Sequence, residues 1–234
     1  VDDEEINLRD TCRALAGNLD KYIIDNTVVA VSWGNTLNCL AGQIQPLKAK
    51  DIKVVQLNGG VAKSASSTGA SQIVDALTMA GHGIGYMFPV PAIVDSKHTS
   101  EILQEETQVK NVLRLAKEAE VSIFSIGALS KDSILYEVEY LKDEDFQALE
   151  KNKAVGDIAS RYFDINGNIA LKELDDRVVG FGLEELREKE WTIAIAVGVN
   201  KVDAIIGALR AGFMNVLYTD EKTAREILNR NLLG

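Results

Sequence analysis

The chain has 234 residues, of which 46% are hydrophobic and 26% are charged, and its formal net charge at pH 7 is −10. This profile indicates a globular protein with enough apolar material for one large α/β domain or two small ones. The acidic balance argues against binding of a nucleic-acid backbone by this chain itself, because such binding depends on clustered Lys and Arg.

Cysteine and histidine usage excludes further classes. Cys12 and Cys39 form no disulfide framework, and His82 and His98 are too few for a typical zinc site. Apolar runs such as residues 191–199 are too short to span a bilayer, and no basic-then-apolar leader opens the chain. We therefore expect a cytoplasmic protein with two buried thiols, no metal, no cofactor and no membrane partner.

Short apolar runs alternate with amphipathic stretches along the chain. The apolar, β-branched runs predict strands at 27–31, 52–57, 83–88, 121–126, 191–197 and 215–219. Helical spacing of apolar residues predicts helices at 6–22, from the loop after the first strand to about 44, and at 70–80, 100–119, about 202–211 and about 221–231. Ser100 or Thr99 is the expected N-cap of the long helix, and Asp220 or Thr219 that of the last one.

This alternation predicts an α/β fold, a doubly wound and mainly parallel sheet with right-handed crossovers. Residues 130–190 are less regular, with short helical pieces, an apolar run at 154–158 and a turn at 164–168. We expect one domain over 1–234 that carries a decorated insertion at about 130–190. In such sheets ligands bind beyond the carboxyl ends of the strands. The polar loops expected there are 32–36, 58–69, 89–97, 127–130 and 198–201.

The loop after the first strand reads Ser-Trp-Gly-Asn-Thr at 32–36. Gly34 would let a ligand approach the backbone, and Asn35 and Thr36 offer side-chain donors. The first helical turn adds N–H groups without intrahelical partners and the positive end of the helix dipole, a combination that binds phosphate. The alternative is that Asn35 or Thr36 merely caps the helix.

Three other loops carry candidate ligand-binding residues. Asn58, Gly59 and Gly60 end the second strand, and Asn58 shares a crevice with Asn35 and Thr36 if the first two strands are neighbours; the alternative is a simple turn. Lys201 stands at a helix start, where the helix dipole disfavours a cation, so a nearby anion would explain it; a solvated surface lysine is the alternative. Asp157 lies among apolar residues and could bind sugar hydroxyls or cap a turn.

No catalytic set is evident. The glycines at 81–85 precede a strand, whereas a dinucleotide fingerprint must follow a strand and open a helix. Walker-type phosphate loops and a recognisable nucleophile–base pattern are absent from the sequence.

Taken together, these motifs resemble the effector-binding domain of SorC/DeoR-type bacterial regulators of sugar metabolism. The resemblance covers nearly the whole chain and rests on VSWGNT at 31–36, VQLNGG at 55–60, FPVP at 88–91, AVGDI at 154–158, FD at 163–164 with a Gly at 167, KVDAI at 201–205, NVL at 215–217 and TDE at 219–221. It implies a Rossmann-like fold similar to the sugar-phosphate isomerase and glucosamine-phosphate deaminase group. It also implies an oligomer, dimer or tetramer, whose effector controls DNA binding by a separate N-terminal helix-turn-helix domain. This chain begins just before the helix that precedes the first strand, so we expect that domain to be missing here.

Carried over to this sequence, the resemblance assigns the phosphate of a sugar phosphate to Gly34, Asn35 and Thr36, with help from Lys201. It assigns the sugar hydroxyls to Asp157. The pocket wall carries Asn58, where a Lys or Arg could attract a second phosphate and a Lys could form an imine.

With Asn58 in that position we expect noncovalent binding of a ligand with a single phosphate. The protein is expected not to be an enzyme. The alternative is a sugar-phosphate isomerase or deaminase, for which Asp157 is the one base that we can nominate.

Overall fold

The computed structural model describes residues 3–61 and 70–232. Its strands, in chain order, are β1 (Val28–Val31), β2 (Lys53–Gln56), β3 (Ile84–Tyr86), β4 (Val121–Ser125), β5 (Gly127–Ala128), β6 (Ala154–Ile158), β7 (Arg161–Asp164), β8 (Trp191–Ile195) and β9 (Val216–Tyr218). Its α-helices are α1 (Glu4–Ala16), α2 (Asn35–Ala41), α3 (Ala70–Ala80), α4 (Lys97–Glu105), α5 (Thr107–Glu118), α6 (Ile134–Glu137), α7 (Asp143–Lys151), α8 (Lys172–Asp175), α9 (Val202–Arg210) and α10 (Glu221–Leu232). The predicted polar loop at 58–69 lies outside the described residues from position 62 onward.

The main sheet has six strands in the order β3-β2-β1-β4-β8-β9, and every neighbouring pair is parallel. The chain builds outward from β1 in one direction and then, from β4, in the other, which is the doubly wound order of Rossmann-like folds. The prediction that the first two strands are neighbours is confirmed, since Val28–Val31 pairs with Lys53–Gln56 in register. The predicted fold class is therefore confirmed.

Both faces of this sheet are buried, because successive side chains of a strand point to opposite faces. On one face Val29 and Val31 pack with apolar residues of α1, α2 and α3. On the other face Val28 and Ala30 pack with apolar residues of α5, α9 and α10. Two helical layers thus enclose a sheet whose carboxyl edge remains free to hold a ligand.

The predicted long helix at 100–119 is wrong. It is two helices, α4 and α5, separated at Glu106, whose backbone is extended (φ −62°, ψ 134°). The N-cap of α4 is Ser96, whose Oγ accepts a hydrogen bond from the Thr99 N–H at 3.1 Å. Ser100 lies inside the helix, buried, and donates to the Val178 carbonyl. Four residues upstream of the expected cap, Ser96 satisfies the helix start better because its extended backbone places the hydroxyl over the first turn.

Other boundaries differ by smaller amounts. α1 ends at Ala16 and is followed by a 3-10 helix at Leu19–Lys21, and α2 ends at Ala41. Asp220 is confirmed as the cap of α10, because its carboxylate accepts from the Thr223 N–H at 2.9 Å. Cys12 is buried as expected, whereas Cys39 is half-buried.

Residues 127–190 build a second, antiparallel sheet in the order β5-β6-β7, with α6, α7 and α8 packed around a third apolar cluster. β5 begins two residues after β4 ends, so this small sheet stands at the carboxyl edge of the main one. That it decorates one domain spanning the chain stays a prediction. In the two described ranges, no helix combines the length and the apolar character needed to cross a bilayer.

Candidate functional site

A cavity of about 290 Å³ opens at the carboxyl edge of the main sheet. Its walls come from the turn after β1 (32–36), from Asn58, from 125–135 in part, and from 157–160 and 200–201. The turns after β1 and β4 belong to adjacent strands at which the chain reverses its direction of growth through the sheet. Ligands of open α/β sheets bind at this switch point, so the cavity lies where the predicted topology places it.

The turn after β1 leaves a helix start without a protein cap. Gly34 is the N-cap of α2, with φ 129° and ψ 176°, and no side chain caps the helix. Asn35 and Thr36 lie inside α2, so neither is the cap that the alternative interpretation required. Among the described residues, none accepts a hydrogen bond from the backbone N–H of Asn35, Thr36 or Leu37. Since Gly34, Asn35 and Thr36 line the cavity, this turn offers donors to an anion.

Two buried side chains in the cavity wall have polar atoms without a protein partner. Ser32 is 2% exposed and Asn58 is 1% exposed, yet Ser32 Oγ and Asn58 Oδ1 have no hydrogen-bond partner in the part of the chain that the structure describes. The Asn58 amide is oriented by its Nδ2, which donates to Ser160 Oγ at 3.1 Å. An unpaired buried polar group costs about 1–3 kcal/mol. A ligand that bonds to both atoms would recover that free energy.

Asp157 and Lys201 bring opposite charges to the cavity. Asp157 lies on β6 opposite Gly127, and its Oδ2 accepts from the Ser160 N–H at 3.1 Å. Burial raises the pKa of Asp157 to about 6, although the Ser160 N–H and the Lys201 charge act in the other direction. Burial lowers the pKa of Lys201, opposed by the carboxylates of Glu4 and Asp157. Both groups thus lie in a partly desolvated setting, where a charge interacts with a ligand more strongly than it does in water.

Gly59 and Gly60 do not line the cavity. The Gly59 N–H donates to Val179, and its carbonyl accepts from Trp33 Nε1 at 2.7 Å. The Gly60 N–H donates to the Val90 carbonyl, and its own carbonyl accepts from the Ala92 N–H. The backbone N–H and carbonyl groups of both glycines are thus hydrogen-bonded to neighbouring protein segments. These two glycines support the wall that carries Asn58 and Trp33 but do not line the cavity themselves.

Several other residues of the lining are not among the predicted site residues, although Ser32, Ser130 and Asn200 lie in polar loops that were expected at this edge of the sheet. They belong to the turn after β1, to the segment between β5 and α6, and to the turns around β6 and α9: Ser32, Ser130, Asp132, Ser133, Ser160 and Asn200. Ser32 had a usable signal, because it is the first polar residue after a buried strand. The segment at 130–135 had none, since its approach to the cavity depends on how the second sheet packs.

His82 and His98 do not line the cavity. In residues 3–61 and 70–232, no group of three His, Cys, Asp or Glu side chains could hold a metal ion. Among the described residues, the chemistry available at the cavity is that of uncapped backbone amides, hydroxyls, the three amide side chains of Asn35, Asn58 and Asn200, and three charged groups, Asp132, Asp157 and Lys201.

Comparisons with known proteins bear on this cavity. The Sugar-bind family model, described as "Putative sugar-binding domain", matches residues 1–229. The chain is 33% identical over 220 residues to the deoxyribonucleoside regulator of Bacillus subtilis, covering 94% of this chain and 70% of that protein.

Solved structures agree with this match. A DeoR family transcriptional regulator from Listeria monocytogenes superposes with a TM-score of 0.87 at 27% identity, covering 96% of this chain and 89% of that one. The full-length sorbitol operon regulator SorC from Klebsiella pneumoniae has a TM-score of 0.88 at 21% identity, covering 96% of this chain and 72% of that one, and shows the same fold.

Proposed function

Because the chain belongs to the Sugar-bind family of sugar-binding domains found in DeoR- and SorC-type transcriptional regulators, we propose that its cavity binds a phosphorylated sugar as the effector of such a regulator. The observation that carries the proposal is the convergence of unsatisfied polar groups on one cavity. The uncapped amides of α2, the hydroxyl of Ser32 and the amide oxygen of Asn58 all lack partners there in residues 3–61 and 70–232. A polar ligand in the cavity could form hydrogen bonds with all of these groups.

The phosphate seat in this proposal is the first turn of α2 together with Lys201. The amide N–H groups of residues 35–37 supply donors, Gly34 lets the phosphate approach the backbone, and Lys201 supplies the positive charge. Of the described residues that line the cavity, Lys201 is the one cation, and Asp132 and Asp157 are both acidic. This balance favours a ligand with a single phosphate over one with two.

The sugar hydroxyls are assigned to the acceptors on the other walls. Asn58 Oδ1 and the Asp157 carboxylate each accept a hydrogen bond, and Ser32 Oγ can donate or accept. Asn58 carries no amine, so this wall cannot capture a carbonyl as an imine, and binding is noncovalent. Treatment with borohydride in the presence of a bound sugar phosphate should add no ligand mass to the protein.

The regulatory part of the proposal concerns more than this chain. The chain spans 70% of the length of the deoxyribonucleoside regulator that it matches. We assign DNA binding to a separate N-terminal domain, which agrees with the acidic charge of this chain, and a homo-oligomeric cytoplasmic assembly, dimer or tetramer, to the whole regulator. The ligand would act allosterically by favouring one arrangement of that assembly.

A thermal-shift and calorimetric panel tests the ligand class. Wild-type protein is titrated with pentose and hexose monophosphates, a hexose bisphosphate, the parent sugars and inorganic phosphate. A monophosphate at a hundred times its Kd should stabilise the protein by about 2.7 kcal/mol, and the parent sugars should stabilise it far less. No stabilisation by any phosphorylated sugar would overturn the proposal.

Two variants test the phosphate seat. Thr36→Ala and Lys201→Ala should each weaken binding by about 1.5–3 kcal/mol, since hydrogen bonds to charged groups have that magnitude. Lys151→Ala, an exposed lysine on α7 outside the cavity lining, is the matched charge control and should leave Kd unchanged. Wild-type affinity in both cavity variants would show that the phosphate lies elsewhere.

The second candidate is a sugar-phosphate isomerase or deaminase. The observation in its favour is Asp157, whose pKa of about 6 suits a general base that works near neutral pH. Incubation with ribose, fructose and glucosamine phosphates, followed by NMR for isomerised or deaminated product, separates the two functions. Turnover that disappears in Asp157→Asn would establish the enzyme, whereas binding without turnover supports the regulator.

A further inference from the structure

A second turn at the cavity also starts a helix without a side-chain cap. Gly198, with φ 117°, precedes a 3-10 helix at Val199–Lys201 that continues into α9, and no side chain of the described residues caps its start. Asn200 and Lys201 line the cavity. Unlike the turn after β1, this one faces a carboxylate of the protein itself.

That carboxylate belongs to Glu4, in the first turn of α1. A Cβ atom built on Gly198 would lie 2.7 Å from Glu4 Oε1 and 2.6 Å from Asn200 Oδ1. The Glu4 side chain therefore rests directly on this turn, although it is not among the residues that line the cavity. The absence of a Cβ at position 198 is what makes the approach possible.

Lys201 interacts electrostatically with two carboxylates, those of Glu4 and Asp157. Among the described residues, its Nζ forms no hydrogen bond and no ion pair shorter than 4.0 Å. Both Glu4 and Asp157 are nevertheless close enough to oppose the lowering of its pKa by burial. Of these two carboxylates, Asp157 lines the cavity, whereas Glu4 approaches the turn at Gly198 and does not line the cavity.

We propose, on the basis of the proposed function, that Glu4 provides the negative charge that interacts with Lys201 in the ligand-free protein. A phosphate in the cavity then competes with Glu4 for Lys201. A phosphate drawn to Lys201 adds negative charge beside a carboxylate that already occupies this turn. Binding of the phosphate and seating of Glu4 against Gly198 therefore oppose each other. By linkage, the ligand weakens the seating of the first turn of α1 to the same extent that Glu4 weakens the ligand.

Contacts elsewhere in α1 confine the effect of phosphate binding to the first turn of that helix. Asp3 caps the helix, and Asn7 Nδ2 donates to Asp220 Oδ2 at 3.0 Å, so the next turn is tied to the start of α10. Release of Glu4 changes the local environment of the first turn while the Asn7 contact holds the helix in place. Ligand binding would therefore change the environment of the first turn of α1.

Phosphate affinity in matched charge variants tests the competition. Inorganic phosphate is titrated at low and at high salt into wild type, Glu4→Gln and Glu5→Gln; Glu5 is the next residue of α1, is exposed like Glu4 and carries the same charge. We expect Glu4→Gln to bind phosphate about three- to tenfold more tightly at low salt, with a smaller gain at high salt, and Glu5→Gln to stay within about twofold of wild type. In a Lys201→Ala background the gain from Glu4→Gln should fall below about twofold. Equal effects of the two glutamine variants, or no effect of either, would overturn the proposal.

A ligand-free measurement separates this inference from the proposed function. The Lys201 side chain is followed by 13Cε NMR through a pH titration in the same three proteins. The pKa of Lys201 should be lower in Glu4→Gln than in wild type or Glu5→Gln, because a neighbouring negative charge has been removed. An unchanged pKa overturns the proposed electrostatic interaction of Glu4 with Lys201. If wild type binds no phosphate while the pKa still falls, the proposed ligand fails and the competition fails with it, whereas the electrostatic interaction stands.

Discussion

The turns after β1 and β2 stand side by side at the same edge of the sheet, and both contain Gly and Asn, but their backbones have different partners. In the turn after β1, the N–H groups of residues 35–37 have no acceptor in the described chain, and a Cβ built on Gly34 would meet nothing within 4 Å. In the turn after β2, the N–H and carbonyl groups of Gly59 and Gly60 are all bonded to protein. A glycine-rich turn after a parallel strand is available to a ligand only where no other segment has taken its backbone.

The largest effect is expected at Gly59. A Cβ at this position would lie 2.3 Å from the Pro91 carbonyl oxygen and 2.6 Å from that of Val90, and backbone atoms yield less readily than side-chain ends. Gly59→Ala should lower the free energy of unfolding by about 3 kcal/mol or more in urea titrations. Gly60→Ala is the control, because a Cβ there meets no described residue within 4 Å, and it should change stability by less than about 1 kcal/mol. If both variants lost the same amount of stability, the close packing of Gly59 against residues 90–91 would not be the cause.

Asp157 illustrates the difference between a group that binds a ligand and a group that stabilises the fold. Its pKa is raised from 3.8 to about 6, so the native state binds its proton more tightly than the unfolded state does. Stability should therefore rise as pH falls from about 7 towards 4, and at pH 8 the ionised group should cost about 2–3 kcal/mol.

The variant Asp157→Asn should accordingly unfold at higher urea than wild type at pH 8, lose that advantage at pH 4, and bind sugar phosphate more weakly. Asp132→Asn, an exposed carboxylate in the same lining, should change stability by less than about 0.5 kcal/mol. Destabilisation of Asp157→Asn at pH 8 would mean that the carboxylate serves the fold.

Gly34 should show a smaller stability loss than Gly59 for a different reason. Its φ of 129° with ψ of 176° is a region that only glycine adopts readily, so Gly34→Ala should cost about 1–3 kcal/mol through backbone strain without any clash. Ligand affinity should fall as well, because the amides of the turn are displaced. Gly42→Ala, at the other end of α2 with an ordinary φ of −69°, should leave both quantities nearly unchanged. Normal ligand binding by a folded Gly34→Ala protein would argue against the assigned phosphate seat.

The smallest effect is expected at Ser32. Because its buried hydroxyl has no partner among the described residues, Ser32→Ala should leave the ligand-free protein as stable as wild type or slightly more stable. It should weaken sugar-phosphate binding by about 1 kcal/mol, measured by calorimetry. Ser122→Ala removes another buried, unpartnered hydroxyl that is not in the cavity lining, and it should not change Kd. Equal Kd values for the two variants would show that Ser32 does not contact the ligand.

Much of the fold could be predicted from the sequence. The β-branched runs that form β1, β2, β4 and β8 are buried on both faces, and alternation with helices leaves few topologies open. The convergence of Gly34, Asn35, Thr36, Asn58, Asp157 and Lys201 on one cavity was also predictable. Carboxyl ends of parallel strands meet at one edge, and the resemblance to a known family placed Asp157 beside them.

Only the tertiary structure decided which of these groups remain available to a ligand. Asn58 and Gly59 are neighbours in sequence, yet one keeps a free amide oxygen and the other is bonded on both sides by protein. Glu106 breaks a helix that apolar spacing predicts as continuous. Glu4, far from the cavity in sequence, rests on the turn that carries Lys201. Periodicity and strand order determine where a residue stands, but the partner of a polar group depends on segments that meet only when the chain is packed.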